Sequence, residues 1–284
     1  MRWPPYRHVF FDCDSTLTAV EGIDVLAQNA GKGWRIKVLT DAAMNGELDL
    51  EQVYGKRLAA IRPTRSQVTA IRQVYKNNIV ADAQAVINAL RYLGHQVYII
   101  SGGLLEPVRE FGLFLGVEPE HIRAVGVEYD QLSGDWWLQA EEEHWEGATR
   151  YMTYGEGDLT VSDGKARIVR ELLGDQSGLS LLIGDGNSDL LAGGAVDLFV
   201  GFGGVVSRQR VRQEAAAFIQ APTLAPLLSI ASGPAAIRLL KGTPHFPVIK
   251  RANQLVAEGA IVFQDEHLKS KFFQAYQAVS SRSG

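Results

Sequence analysis

The chain has 284 residues, 46% hydrophobic and 21% charged, with a formal net charge of −4, an ordinary globular composition long enough for one large domain or a domain with a substantial insert. A negative chain without a basic tract argues against nucleic acid as a partner, and no apolar run approaches the roughly 20 residues that span a membrane. Met1–Tyr6 has no apolar signal-peptide core, and Cys13 is the single cysteine, so no intramolecular disulfide forms and a cytoplasmic protein is expected.

Val9-Phe10-Phe11 reads as a short buried strand that runs into Asp12-Cys13-Asp14-Ser15-Thr16. Charged residues rarely end a core strand without a role, and carboxylates two apart project on the same side of an extended chain. One can be a nucleophile and metal ligand while the other works as an acid. The plainer alternative is a turn or helix cap, which Asp, Ser and Thr also favour. Cys13, between two anions, is read as a packing residue, because neighbouring negative charge discourages its thiolate.

Residues 21–78 hold no convincing strand and read as several helices inserted after the first strand. Beside a catalytic strand end such an insert is a lid or cap, or else an extra packing layer. Asp24 and Asp41 are expected to be exposed on it. A helix follows over Asp82–Leu93, with Val86, Ile87, Leu90 and Leu93 on one face, Asp82 as N-cap and Gly94 just past the end.

The run Val97–Ile100 predicts a second strand leading into Ser101-Gly102-Gly103 and a helix around Leu105–Leu115. Backbone N–H groups and a hydroxyl at such a point make an anion pocket, although Ser-Gly-Gly alone is also ordinary loop chemistry. Val125, Val127, Tyr129, Gly134, Trp136 and Trp137 suggest a hairpin. Glu141–Glu143 and Gly155–Asp158 read as solvated loop. Trp136, Trp137 and Trp145 with Tyr151 and Tyr154 read first as core packing under a long loop, with a substrate-facing wall or a homodimer contact as alternatives.

Lys165 stands before a helix, after Ser162-Asp163-Gly164, where an ammonium can hold phosphate; lone lysines are mostly solvated. Leu179–Ile183 and Leu198–Val200 predict two more buried strands, the first closing on Gly184-Asp185-Gly186-Asn187-Ser188-Asp189. Asp-Gly is a turn signal, but two acids four apart after a buried strand exceed what a turn requires. After Gly233 comes a proline-punctuated tail with helical patterns. None of the six histidines has metal-site spacing.

Strand–helix alternation predicts an α/β fold: a doubly wound, mostly parallel, Rossmann-like sheet with an inserted helical cap. The expected division is a core of residues 1–20 and 79–232, a cap of 21–78 and a C-terminal helical extension of 233–284. Ligands bind such sheets beyond the carboxyl ends of the strands, where the four motifs fall.

Together the motifs form a complete chemical set. Asp12, Asp185 and the Asp14 carbonyl supply hard oxygens for Mg²⁺, with Mn²⁺ the alternative. Asp12 can attack phosphorus and form an aspartyl-phosphate. Asp14 can protonate the leaving oxygen and then activate water. Ser101, the Gly102 amide and Lys165 would stabilise phosphoryl charge, and Asp189 would orient Lys165 or a water on the metal.

These motifs, in this order, resemble the haloacid dehalogenase superfamily of phosphohydrolases. Asp14 separates the chain from the dehalogenase branch, which lacks the second acid, and from the transport ATPases, which have threonine there. Glu21-Gly22-Ile23-Asp24, Ala43-Met44-Asn45-Gly46, Arg57–Ile61 with Pro63, and Val200–Gly204 with Arg208 are similar to the phosphoserine phosphatase subfamily, a likeness covering about residues 7–232. The resemblance implies that Glu21 faces a substrate ammonium, Arg57 pairs with a substrate carboxylate and Met44 lines the cap wall. It further implies that Ser101, Gly102, Gly103 and Lys165 bind phosphate and that Asn187 lies at the rim. Without it, Glu21 and Arg57 would read as surface salt-bridging residues. The chain departs from the subfamily at Leu50 and Leu104, where phenylalanine is usual, in a longer Ser101–Lys165 segment and in its tail. The implied partner is a small phosphorylated metabolite. Alternatives are phosphohomoserine, an amino-alcohol or sugar phosphate as substrate, a phosphotransferase, or a non-catalytic module.

Overall fold

The computed structural model describes residues 3–130 and 149–280. The expectations for Gly134, Trp136, Trp137, Glu141–Glu143, His144 and Trp145 fall outside those residues.

The apolar runs become the middle of one sheet. β1 (Tyr6–Phe11) is flanked by β2 (Gln96–Leu104) on one side and by a strand over Leu179–Gly184 on the other, both parallel to it. Val9, Phe10 and Phe11 are fully buried, each contributing about 1.5–3 kcal/mol of apolar burial. Buried on both faces, these strands need no apolar–polar alternation.

Between β1 and β2 lie α1 (Gly22–Asn29), α2 (Gly33–Asn45), α3 (Leu50–Ile61) and α4 (Arg65–Asn77), then α5 (Ala83–Tyr92). The first four form the helical insert. The chain enters and leaves it side by side: Ala19 N–H donates to the Asn78 carbonyl at 2.8 Å and Val80 N–H to that of Leu17 at 3.0 Å. α4 opens on a reciprocal cap between Thr64 and Gln67. Asp82 occupies the N-cap position of α5 but caps no amide. Its backbone is left-handed (φ 64°), and its carboxylate instead takes the Thr223 hydroxyl at 2.6 Å and Arg251 at 3.3 Å.

Beyond β2 come α6 (Leu105–Leu115), β3 (Ile122–Val125), β4 (Val127–Asp130), β5 (Arg150–Tyr154), α7 (Lys165–Leu173), β6 (Leu179–Gly184), α8 (Asn187–Ala192), β7 (Leu198–Phe202), α9 (Gln209–Glu214), β8 (Ala217–Ile219) and α10 (Ala225–Ser232). Among the described residues the main sheet has seven strands in the order β3-β2-β1-β6-β7-β8 and a last strand in the tail. Val125 therefore belongs to the main sheet. The separate antiparallel pair is β4 with β5, Val127 opposite Tyr154. Tyr151 is buried and the half-buried Tyr154 stands 5.1 Å from the Tyr54 ring.

The tail is more than helical. α11 (Ala236–Leu240) and α12 (Phe246–Ala257) precede β9 (Ile261–Phe263), which pairs antiparallel with β8, and α13 (Glu266–Ser280) follows. It packs back on the chain's start, with the Trp3 ring 4.9 Å from Phe272 and its indole N–H donating to the Ile230 carbonyl at 2.6 Å.

Strand order reverses at β1, the switch point where doubly wound sheets bind ligands. Three strand ends meet there, carrying Asp12, Ser101 and Asp185.

Candidate active site

The β1 ladder runs one residue past the strand, with Asp12 N–H donating to the Ile183 carbonyl at 2.9 Å. The chain then folds back, and the amides of Leu17 and Thr18 donate to the Cys13 carbonyl at 2.8 and 3.1 Å. This tight turn holds Ser15 at φ 56°, a left-handed conformation costing on the order of 1 kcal/mol for a non-glycine residue. Its hydroxyl donates to Glu21 Oε1 at 2.8 Å.

Lys165 opens α7 and donates to Asp12 Oδ1 at 2.5 Å and Asp189 Oδ1 at 2.6 Å. Two glycines make this approach possible. A side chain at Gly164 would strike the Asp158 carbonyl, and one at Gly184 would strike the Asp189 carboxylate. Asp189 also accepts from Gly186 N–H at 3.1 Å, so it is tied to its own turn and to Lys165.

Asp185 Oδ2 accepts from Arg208 Nε at 3.1 Å, and Arg208 Nη1 donates to Asn45 Oδ1 in the helical insert at 3.3 Å. Asp12 and Asp185 thus each commit one oxygen to a cation. Asp14 Oδ2 accepts from Gly22 N–H at 3.2 Å, and Asp14 Oδ1 is buried without a partner. Ser101 Oγ accepts from Gly103 N–H at 2.9 Å. Ser101, Gly102 and Gly103 form the bulged end of β2 rather than a loop.

Asp12, Asp14, Glu21, Met44, Arg57, Ser101, Gly102, Gly103, Lys165, Asp185 and Asp189 all line one cavity of about 50 Å³, walled by Ile23, Leu26, Leu50, Leu58, Ile71 and Leu104. That is room for a few waters, and hence for a small ligand only. Asn187 lies outside the lining. Its side chain takes Arg210 Nη1 at 2.6 Å, and it packs against Gly46 at the seam between insert and sheet, while Ser188 reaches the cavity. Elsewhere along the seam the Leu50 amide donates to Ser162 Oγ at 2.8 Å and the Tyr54 hydroxyl to the Gly102 carbonyl at 2.8 Å.

Three further residues belong to this constellation: Arg208, Tyr75 and Asp24. Arg208 is brought by the segment after β7. Tyr75, on α4, sets its hydroxyl against Asp14 and Gly22. Asp24, expected in solvent, is buried and takes the Thr40 hydroxyl at 2.9 Å. Asp41 does reach solvent beside Lys37. Of these, Arg208 and Asp24 left traces in the sequence, in the segments Val200–Gly204 with Arg208 and Glu21–Asp24, while Tyr75 left none.

Burial dominates the electrostatics. It pushes the Asp12 carboxyl up to about 7, the Asp189 charge adding and Lys165 opposing. It lifts Asp14 well above the carboxylate range, with Glu21 adding. Asp185 rises by burial and the Glu21 charge against the pull of Arg208. Burial would lower Lys165, yet Asp12 and Asp189 hold it above its usual value. The Cys13 thiol is buried and pushed up first by burial, then by Asp14, as expected of a packing residue.

Oxygens of Asp12, Asp185 and Asp189 lie within 4.8 Å of one another. An all-oxygen set beside the orphaned Asp14 oxygen fits a hard divalent cation such as Mg²⁺. Asp189 is already engaged by Lys165, which suits an orienting role better than a ligand role. Among the described residues no helix is long and apolar enough to cross a membrane.

Comparison with known proteins agrees with this geometry. The model of the haloacid dehalogenase-like hydrolase family matches residues 9–193. Phosphoserine phosphatase of Drosophila melanogaster is 32% identical over 217 residues, covering 74% of this chain and 73% of that protein. The Mus musculus phosphoserine phosphatase is 29% identical over 214 residues, covering 74% and 88%. A solved substrate-bound phosphoserine phosphatase complex has the same fold, with a TM-score of 0.66 at 21% identity over 79% of this chain and 97% of that one. Family match and site geometry together place this chain in the haloacid dehalogenase-like hydrolase family.

Proposed function

We propose that the chain is a Mg²⁺-dependent phosphoserine phosphatase, hydrolysing O-phospho-L-serine to L-serine and phosphate. One observation carries the reading: the cavity that joins Asp12, Asp14 and Asp185 at the sheet also holds Glu21 and Arg57 from the helical insert. A phosphate, an ammonium and a carboxylate on one small molecule would each meet its complement there.

Asp12 attacks phosphorus, and the bond from phosphorus to the serine oxygen breaks as Asp14 delivers its proton to that oxygen. A carboxyl raised by burial is suited to hold that proton. Asp14 then takes a proton from water, which attacks the same phosphorus, and the bond to Asp12 breaks. Ser101, the Gly102 amide and Lys165 hold the phosphoryl oxygens, with the Gly103 N–H steadying the Ser101 hydroxyl. Glu21 faces the ammonium, Arg57 reads the carboxylate with its planar fork, and Met44 forms part of the wall. Asp12, the Asp14 carbonyl and Asp185 would hold Mg²⁺, or Mn²⁺ in its place, which supplies charge neutralisation for the phosphoryl group.

In this reading residues 1–20 and 79–232 form the catalytic core, 21–78 a cap that opens for substrate, and 233–284 a brace behind the sheet. A cytoplasmic setting fits a chain whose single cysteine, Cys13, is a buried free thiol. The partner is a small phosphorylated metabolite. A homodimer is part of the reading and is checked by sedimentation.

The test is phosphate release from a panel of small phosphoesters with and without EDTA. EDTA should abolish turnover. Arg57→Ala should raise KM for phosphoserine about 10- to 100-fold, the cost of one charge-assisted contact, and spare phosphoethanolamine, which lacks the carboxylate. Equal effects on both esters would replace phosphoserine with another small phosphomonoester.

A further inference from the structure

Arg57 does not stand alone in the wall of the cavity. It is 4% exposed, and its Nη1 donates to Thr40 Oγ1 at 3.0 Å. The Thr40 hydroxyl, fully buried, has two acceptors for its single proton: Asp24 Oδ1 at 2.9 Å and the Ile36 carbonyl at 3.1 Å. Asp24 is 9% exposed. The guanidinium carbon lies 5.6 Å from the centre of the Tyr54 ring, and that tyrosine is tied to the sheet through Gly102. Arg57 Nε is buried with no partner. So one edge of the guanidinium is pinned by α2, its face rests on α3, and a donor is left unused in a residue that lines the cavity.

Sequence order does not explain this arrangement. Asp24, Thr40 and Arg57 sit on three successive helices, α1, α2 and α3. A buried guanidinium and a buried carboxylate would ordinarily close into a direct ion pair. Here a hydroxyl stands between them. Direct pairing would engage the guanidinium donors that a substrate carboxylate needs. An interposed hydroxyl holds the orientation, keeps a compensating charge one residue away, and engages a single N–H.

We propose that Asp24 and Thr40 are positioning residues that fix the orientation of Arg57, and so set the preference for phosphoesters bearing a carboxylate. The inference rests on the phosphoserine reading. It adds two residues that touch no substrate. A chain that merely knits three helices together would affect every substrate equally, whereas orientation of Arg57 matters only to an ester with a carboxylate.

The experiment compares wild type, Thr40→Val, Thr40→Ser and Asp24→Asn on O-phospho-L-serine and phosphoethanolamine with Mg²⁺. Thr40→Val keeps the side-chain shape and removes the bridge. It should raise KM for phosphoserine about tenfold, the scale of one hydrogen bond to a charged group, with kcat within about twofold. The kcat/KM ratio of the two esters should fall by the same about tenfold factor. Thr40→Ser, which restores the hydroxyl, should restore the ratio. Asp24→Asn should lower it in the same direction by less. An unchanged ratio in a folded Thr40→Val variant, or a Thr40→Ser variant no better than valine, overturns the proposal. Should Thr40→Val fail to fold, Asp24→Asn decides by the same ratio. If wild type shows no preference between the esters, the phosphoserine reading itself fails and takes this inference with it. If the preference exists and survives Thr40→Val, only the inference falls.

Discussion

At the amino-terminal rim of the sheet, His95 accepts from the Ser232 hydroxyl at 3.0 Å and donates from Nδ1 to the Tyr6 carbonyl at 2.6 Å. His8 bridges the Ser177 carbonyl and the Tyr98 hydroxyl, both at 3.2 Å, and Asp197 takes the amide and hydroxyl of Ser180 at 2.7 and 2.9 Å. At the carboxyl-terminal rim, Asp12, Asp14, Glu21, Asp185 and Asp189 crowd around Lys165 and Arg208, and one Asp14 oxygen has no partner. Both rims bury polar groups in one sheet. The first pairs histidines with neutral partners and gives its one carboxylate two donors. The second packs like charges together, and burial raises the pKa values of Asp12, Asp14 and Asp185. Satisfied polar groups stabilise a fold, while a crowd of buried like-charged acids costs stability and holds protons and cations where chemistry needs them.

Asp12→Asn should produce the largest effect. With the nucleophile removed, kcat should fall by about 10³-fold or more, with the melting temperature equal to or above that of wild type. Lys165 keeps Asp189 as its partner, so no buried cation is stranded. Retention of more than a few per cent of turnover would move the nucleophile elsewhere.

Asp14→Asn tests the cost of the crowded rim directly. Asp14 has no cation partner, and its folded carboxyl sits above its unfolded value. Such a group stabilises most below the unfolded pKa and loses that contribution as pH rises through the folded one. At neutral to alkaline pH without divalent cations, the amide should therefore raise the melting temperature by about 2–4 °C, as about 1 kcal/mol does in a chain this size. The gain should shrink as pH falls. A lower melting temperature at pH 8 would mean that the rim is not under electrostatic strain.

The neutral rim should respond oppositely and more weakly. Burial lowers the pKa of His95 and His8. A depressed histidine contributes stability above its unfolded pKa of about 6.5 and loses it as pH falls through the folded value. His95→Gln should flatten the decline of the melting temperature below about pH 6.5 by a degree or two. An unchanged pH slope would remove His95 from the acid response.

How far these features could be read in advance varied along the chain. Val9–Phe11, Val97–Ile100, Leu179–Ile183 and Leu198–Val200 are apolar on both faces, and all lie in the centre of the sheet. β3, β8 and β9 were not foreseen. Two are only three residues long, and β9 sits between helical patterns, so neither period-2 alternation nor length marks them. Asp24 was misplaced for a different reason. Helical periodicity says which residues share a face, but Thr40 arrives from another helix. Asp82 was placed correctly along the chain, yet its carboxylate went to Thr223 and Arg251 instead of the α5 amides. Asn187 was expected near the site, but the sharp turn sends Ser188 into the cavity and Asn187 to the seam.

Local backbone chemistry was enough to put acids, glycines and a serine at the ends of buried strands, because alternation, turn residues and apolar runs act over a few neighbouring positions. Pairing was beyond its reach. Lys165 meets Asp12 across 153 positions and Arg208 meets Asp185 across 23, and burial then raises the pKa of both aspartates. Such partnerships depend on how separated segments pack and on how much water that packing excludes, and neither quantity is written in any short stretch of chain.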